Sequence, residues 1–183
     1  SILTTYVNLG NTYFETDAYK AVVYLKKGLA YEYQNDRHDQ INFIFHHNLA
    51  ELYVDLHKPR LAKYHLKQIE GKIDLEVMSA RRKTYLGTTN FINAGILLLE
   101  NNPKESIEKI LESLKYKESY DENYRLGNYK NLMIAYERMG QYEKLPEVHK
   151  VYDSLKEVRY EKDKIKQQQI ARTEVQLDKI EQD

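Results

Sequence analysis

Four short stretches share one pattern: Leu9-Gly10-Asn11-Thr12-Tyr13, Leu49-Ala50-Glu51-Leu52-Tyr53, Leu86-Gly87-Thr88-Thr89-Asn90-Phe91 and Leu132-Met133-Ile134-Ala135-Tyr136. In each, a leucine precedes a residue that is small in three of the four, and an aromatic follows about one helical turn later. Glycine inside a helix costs about 1 kcal/mol relative to alanine, so its placement needs a packing reason. A helix approaches its partner closely only where a side chain is small, and the aromatic fills the wedge where the pair diverges. The four stretches therefore mark the first helices of four helix pairs.

The sequence around them supplies the partners. Ile2, Tyr6, Leu9, Tyr13 and Phe14 recur at steps of three and four, which predicts a helix from Ile2 to Glu15. Asp17 is suited to cap a second helix, with Ala18, Ala21, Val22, Leu25 and Leu29 on one face, ending at Asn35-Asp36. A helix from Ile41 to Leu56 is interrupted at Lys58-Pro59. Pro59 then opens another running to Ile69, before Gly71. A longer run from Leu75 to Glu100 ends at Asn101-Asn102-Pro103. There Asn102 as cap, Pro103 at the first position and Glu105 at the third start a helix to about Glu118. Asp121 opens the next, Gly140 closes it, and Tyr142 begins the last, with Pro146 in its first turn. Such short connections between helices force neighbours to pack antiparallel.

Composition agrees. Seven glycines and three prolines are about half of average usage, which disfavours turn-rich sandwiches and barrels. Twenty-eight basic residues balance twenty-eight acidic ones, so no net field draws in nucleic acid or anionic lipid. Without cysteine there are no disulfides, no thiolate zinc sites and no cysteine nucleophile. The longest apolar stretch, Phe91 to Leu99, is broken by Asn93 and is about half of the roughly 20 residues that a membrane span needs. The chain starts at Ser1 with no Met, basic stretch or signal-like segment, and reads as cut or processed.

The recurring Leu-small-x-x-aromatic unit resembles the tetratricopeptide repeat family, over about Thr4 to Leu155. Ala21 with Leu25, Ala62 with Leu66, and the turn Gly140-Gln141-Tyr142 add to the likeness. Gly10, Ala50, Gly87 and Met133 are 40, 37 and 46 residues apart, longer than that family's usual unit of about 34. Met133 fills a slot the family keeps small, and Leu145-Pro146 replaces its expected alanine region. The resemblance implies an all-α, right-handed helical solenoid of four helix-turn-helix repeats over residues 1–155. A charged extended C-terminal helix then spans 156–183.

In that family the first helices line the concave face. The implied contact set is Val7, Asn11 and Phe14; His47, Glu51 and Val54; Thr84, Thr88 and Phe91; then Lys130, Ile134 and Glu137. Asn and Thr side chains suit a peptide backbone, and the two Phe rings suit apolar side chains. Packing between repeats is the competing role for Phe14 and Phe91, and ordinary solvated surface for Asn11 and Lys130. The family's carboxylate clamp for acidic peptide ends is not visible. Asn11 is compatible with it, but Val7, His47 and Thr84 stand where cations would help and only Lys130 supplies one.

Other chemistries find little support. His38, Asp39, His46, His47 and Glu51 are the one histidine-rich cluster, yet no HExxH-like motif fixes a third zinc ligand. They read as structural, with His46 facing its helix partner and His38 in a solvated turn; no metal and no cofactor are expected. No phosphate loop, nucleophile elbow or kinase signature occurs, so the chain reads as non-catalytic. The seventeen tyrosines could stack nucleic-acid bases only beside a basic groove, and Tyr13, Tyr53 and Tyr136 fall at packing positions.

From Lys156 onward the sequence is rich in Lys, Glu, Asp and Gln. Ile170, Thr173, Leu177 and Ile180 allow a homodimer through a coiled coil, with a solvated helix capping the array as the alternative. Arrays followed by such a helix, here from Tyr152-Asp153-Ser154-Leu155-Lys156 on, are similar to the sensing regions of bacterial membrane-anchored histidine kinases and transcriptional regulators. That likeness implies a protein- or peptide-binding domain on the periplasmic side of a membrane, with span and output module outside this chain. The alternative is a soluble cytoplasmic adaptor or peptide receptor for protein assembly.

Overall fold

The computed structural model describes residues 2–14, 16–35, 39–72 and 81–182. His38 and the helix start expected at Leu75 lie outside these, and Ile170, Thr173, Leu177 and Ile180 lie outside the residues whose side chains are described. Among the described residues the chain is all-α, without a strand. Its helices are α1 (Ile2–Tyr13), α2 (Ala18–Asn35), α3 (Asp39–Asp55), α4 (Pro59–Gln68), α5 (Arg82–Leu99), α6 (Pro103–Leu114), α7 (Glu122–Arg138) and α8 (Leu145–Gln182). A 3-10 turn, Tyr142–Lys144, leads into α8.

Local chemistry sets most of the boundaries. Asp17 Oδ1 accepts the Lys20 N–H at 3.0 Å and so starts α2. Asn102 Oδ1 accepts the Glu105 N–H ahead of α6, with Pro103 at its first position. Asp121 Oδ1 accepts the Asn123 N–H at 2.8 Å ahead of α7. Three helices end by the same device. His57, Asn101 and Gly140 turn to φ values of 56°, 59° and 67° after α3, α5 and α7. The next N–H then bonds back to Tyr53, Leu97 or Tyr136, which satisfies carbonyls the helix leaves open.

The helices pack as consecutive pairs: α1 on α2, α3 on α4, α5 on α6 and α7 on α8. Between pairs, α2 meets α3 and α6 meets α7, while α1, α3, α5 and α7 lie beside one another in that order. Leu25, Phe45, Leu49, Leu52 and Ile92 are fully buried, or nearly so, in the core shared by the first three pairs. A second core gathers Ala94, Ile110, Leu132 and Val148 from the last two.

The small residues sit at these contacts, with Gly10, Ala50 and Gly87 all buried. At Gly87 there is no room for a side chain, because a Cβ there would stand 2.5 Å from a Tyr120 ring carbon and 3.0 Å from Tyr116 Cβ. Tyr120 cannot swing away freely, since its hydroxyl donates to the Ser113 carbonyl at 3.1 Å. Ser113 is itself fully buried, and its hydroxyl donates to the Gly87 carbonyl at 2.8 Å.

This packing shortens α6. The expected helix to about Glu118 stops at Leu114, and residues 115–119 continue in tighter turns with bonds to the third residue back. That tightening lets Tyr120 fold over Gly87, and the Thr84 hydroxyl donates to the Ser119 carbonyl at 2.6 Å. At the other end α8 runs unbroken across residues 155 and 156. Lys162 Nζ still reaches both Glu122 oxygens, each at 3.0 Å, so the helix stays against α7 to that depth. Among the described residues no helix is long and apolar enough to cross a membrane.

Candidate recognition groove

The face formed by α1, α3, α5 and α7 carries a concavity of about 990 Å³. Asn11 and Phe14 at the end of α1, with Thr16 of the following turn and Ala18 at the start of α2, make one wall. Asn48, Glu51 and Asp55 of α3 make the floor, and Phe91 of α5 with Asp121, Asn123 and Tyr124 at the start of α7 close the far side. Helical spacing explains the floor: 48, 51 and 55 are steps of three and four and so share one face of α3.

Polar contacts tie these walls together. Asn48 Nδ2 donates to Asn11 Oδ1 at 3.0 Å, linking α3 to α1. The Tyr124 hydroxyl donates to Glu51 Oε2 at 2.7 Å, linking α7 to α3. Tyr124 also meets Phe91 edge-on, with ring centroids 5.4 Å apart. Phe91 owes its position partly to Gly127, where a Cβ would stand 2.7 Å from the Phe91 ring.

The groove's carboxyls are perturbed. Burial pushes Glu51 up to about 8; the Tyr124 hydrogen bond opposes that shift and the nearby Asp55 charge adds to it. Glu51 therefore carries a proton over much of the neutral range. Burial also raises Asp55, against the pull of His57 and Lys130. Tyr124 is held far above the usual phenol range by burial and by Glu51, so it remains a donor.

Of the residues expected on the concave face, the structure gathers Asn11, Phe14, Glu51 and Phe91 in the concavity. His47 and Thr88 lie behind it, 3% and 2% exposed, with the Thr88 hydroxyl 2.9 Å from His47 Nε2. They are a correction to the expected contact set. α3 is flanked by α1 and α5, so a residue aimed between its neighbours is covered by them. Val7 packs half-buried against the first core, and Val54 fills the space over Gly95. Thr84 is committed to the Ser119 carbonyl. Lys130 and Glu137 are exposed and Ile134 is half-buried, farther along α7 than the turn that lines the groove. Thr16, Ala18, Asn48, Asp55, Asp121, Asn123 and Tyr124 are the lining residues that sequence reasoning missed.

The histidines have their own arrangement. His46 faces α4 as expected, with its Nδ1 2.8 Å from Nδ1 of His65, so one ring must donate and the other accept. Burial pulls His46, His47 and His65 each down to about 4. Among the described residues no three His, Asp or Glu side chains converge as a metal site. In comparisons with known proteins, no family model, no curated protein and no solved structure matches this chain.

Proposed function

We propose that this chain is a non-catalytic recognition domain, a right-handed tetratricopeptide-like array of four helix pairs that docks a protein or peptide segment on the face of α1, α3, α5 and α7. The supporting observation is the concavity itself: it is lined by the first helices of all four pairs, and it mixes aromatic rings with amides and carboxyls. Asn11, Asn48 and Asn123 offer hydrogen bonds to a peptide backbone, and Phe14 and Phe91 offer apolar contact.

Replacing Asn11 and Phe14 together by alanine is expected to weaken capture of a bound segment by at least about tenfold, the effect of losing one buried anchor and one hydrogen bond. Far-UV circular dichroism should be unchanged, since both residues lie at the rim of α1. Equal binding by the double variant would move the site elsewhere.

The same reading places the domain as the sensing region of a bacterial membrane-anchored signalling protein, with α8 passing small shifts between helix pairs toward an output module. The length and charge of α8 support this, as does its attachment to α7 through Lys162 and Glu122. A parent gene with neither an export signal nor a membrane span would remove that part of the proposal.

A further inference from the structure

The concavity has one sign of charge. Its described lining residues include three carboxyl groups, on Glu51, Asp55 and Asp121, and no lysine or arginine. Glu51 and Asp55 stand one turn apart on α3, and Asp121 lies across the groove at the start of α7. These groups do not converge as a metal site. They share the lining of the concavity with Phe14 and Phe91 and with three asparagines, Asn11, Asn48 and Asn123.

The chemistry of a lysine or arginine side chain matches this combination. Its aliphatic stem is apolar and packs on aromatic rings, and its head is attracted to both ring faces and carboxylates. The main chain that carries it presents N–H and C=O groups that asparagine side chains can satisfy. Resting on the reading of this face as a recognition groove, we propose that its occupant is a peptide or protein segment bearing lysine or arginine, held by Glu51 and Asp55 with its stem against Phe14 and Phe91.

The protonation of Glu51 gives this docking a signature. Glu51 interacts with Tyr124 of α7 and with Asp55 on its own helix; Tyr124 in turn feels Asp121 and Tyr85, and Asp55 feels His57 and Lys130. A cation arriving beside Glu51 favours its ionised form, so docking expels the Glu51 proton. Capture should therefore strengthen as pH rises through about 8, a range in which lysine and arginine side chains themselves stay charged.

The test uses the full chain and three pools of short fluorescent peptides. The pools share the same apolar residues and differ only in carrying Lys/Arg, Gln or Glu at the polar positions; spermidine serves as a competitor. The Lys/Arg pool should bind at least about tenfold more tightly than the Gln pool, with the Glu pool weakest, and binding should weaken as salt is raised. Asp55→Asn and Glu51→Gln should each remove much of that preference, and Glu51→Gln should also flatten the rise with pH. Binding of all three pools alike, still lost on replacing Asn11 and Phe14, would overturn the charge assignment and leave the groove reading standing. Binding of no pool would overturn both. Lys/Arg binding that ignores Asp55→Asn and Glu51→Gln, or complete displacement by spermidine at equal affinity, would likewise overturn the proposed occupant.

Discussion

Acidification from about pH 6.5 to about pH 4 is expected to remove most of the stability of the α3–α4 region and with it the fold. His46, His47 and His65 are 1%, 3% and 4% exposed, and burial holds each neutral in the folded chain down to about pH 4. In the unfolded chain the same imidazoles take up protons near pH 6.5. Between those values the unfolded state binds more protons, so stability falls with falling pH. The difference amounts to about 3 kcal/mol per imidazole, with His46 and His65 together contributing less than twice that because they share one hydrogen bond. A domain of this size has only about 5 to 15 kcal/mol in total. Urea midpoints followed by circular dichroism at several pH values should drop steeply over this interval. Replacing the pair as His46→Leu with His65→Phe should remove the pair's share of the slope and leave that of His47, because both buried partners then become apolar. A flat midpoint in the parent chain would contradict the buried neutral pair.

Glu51→Gln is expected to stabilise the free protein at neutral and alkaline pH while weakening capture of a cationic segment. The folded chain holds Glu51 protonated up to about 8, whereas the unfolded chain releases that proton near 4.5. The cost of keeping glutamate at this site is therefore absent below about pH 4.5 and grows as pH rises to about 8. Glutamine keeps the shape and an acceptor for Tyr124 and carries no charge to desolvate. Discounted for the partial exposure of the site, the gain at pH 9 should be about 2 to 4 kcal/mol, falling to nothing near pH 4. A variant that is less stable than the parent at pH 9 would show that Glu51 serves the fold rather than the groove. The histidines and Glu51 oppose one another in pH, so the parent chain should be most stable near pH 6 to 7.

The helix ends were the most legible part of the sequence, because Asp17, Asn102-Pro103, Asp121 and Gly140 act through bonds to residues two to four positions away. The end of α6 was not, since it depends on Tyr120 folding over Gly87, a contact between distant residues. Within the groove, the resemblance to the repeat family pointed to Asn11, Phe14, Glu51 and Phe91, on the helix faces that carry the small slots. Periodicity fixes a direction around a helix but no depth, so it could not tell half-buried Glu51 from covered His47. Asn48 and Asp55 share the Glu51 face at steps of three and four, and that signal was available. Tyr124 was harder: the fourth helix pair enters the groove by the first turn of α7, well before Met133, and only the packing of Phe91 on Gly127 reveals that offset.

Under the proposed function, recognition uses the wall made by α1, α3, α5 and α7. Hydrogen–deuterium exchange of the full chain, with and without a saturating Lys/Arg peptide, tests it directly. Added protection should fall on the end of α1, on α3 around Asn48 to Asp55, on α5 near Phe91 and on the first turn of α7. Protection confined to α2, α4 and α6, or to the far part of α8, would contradict the account.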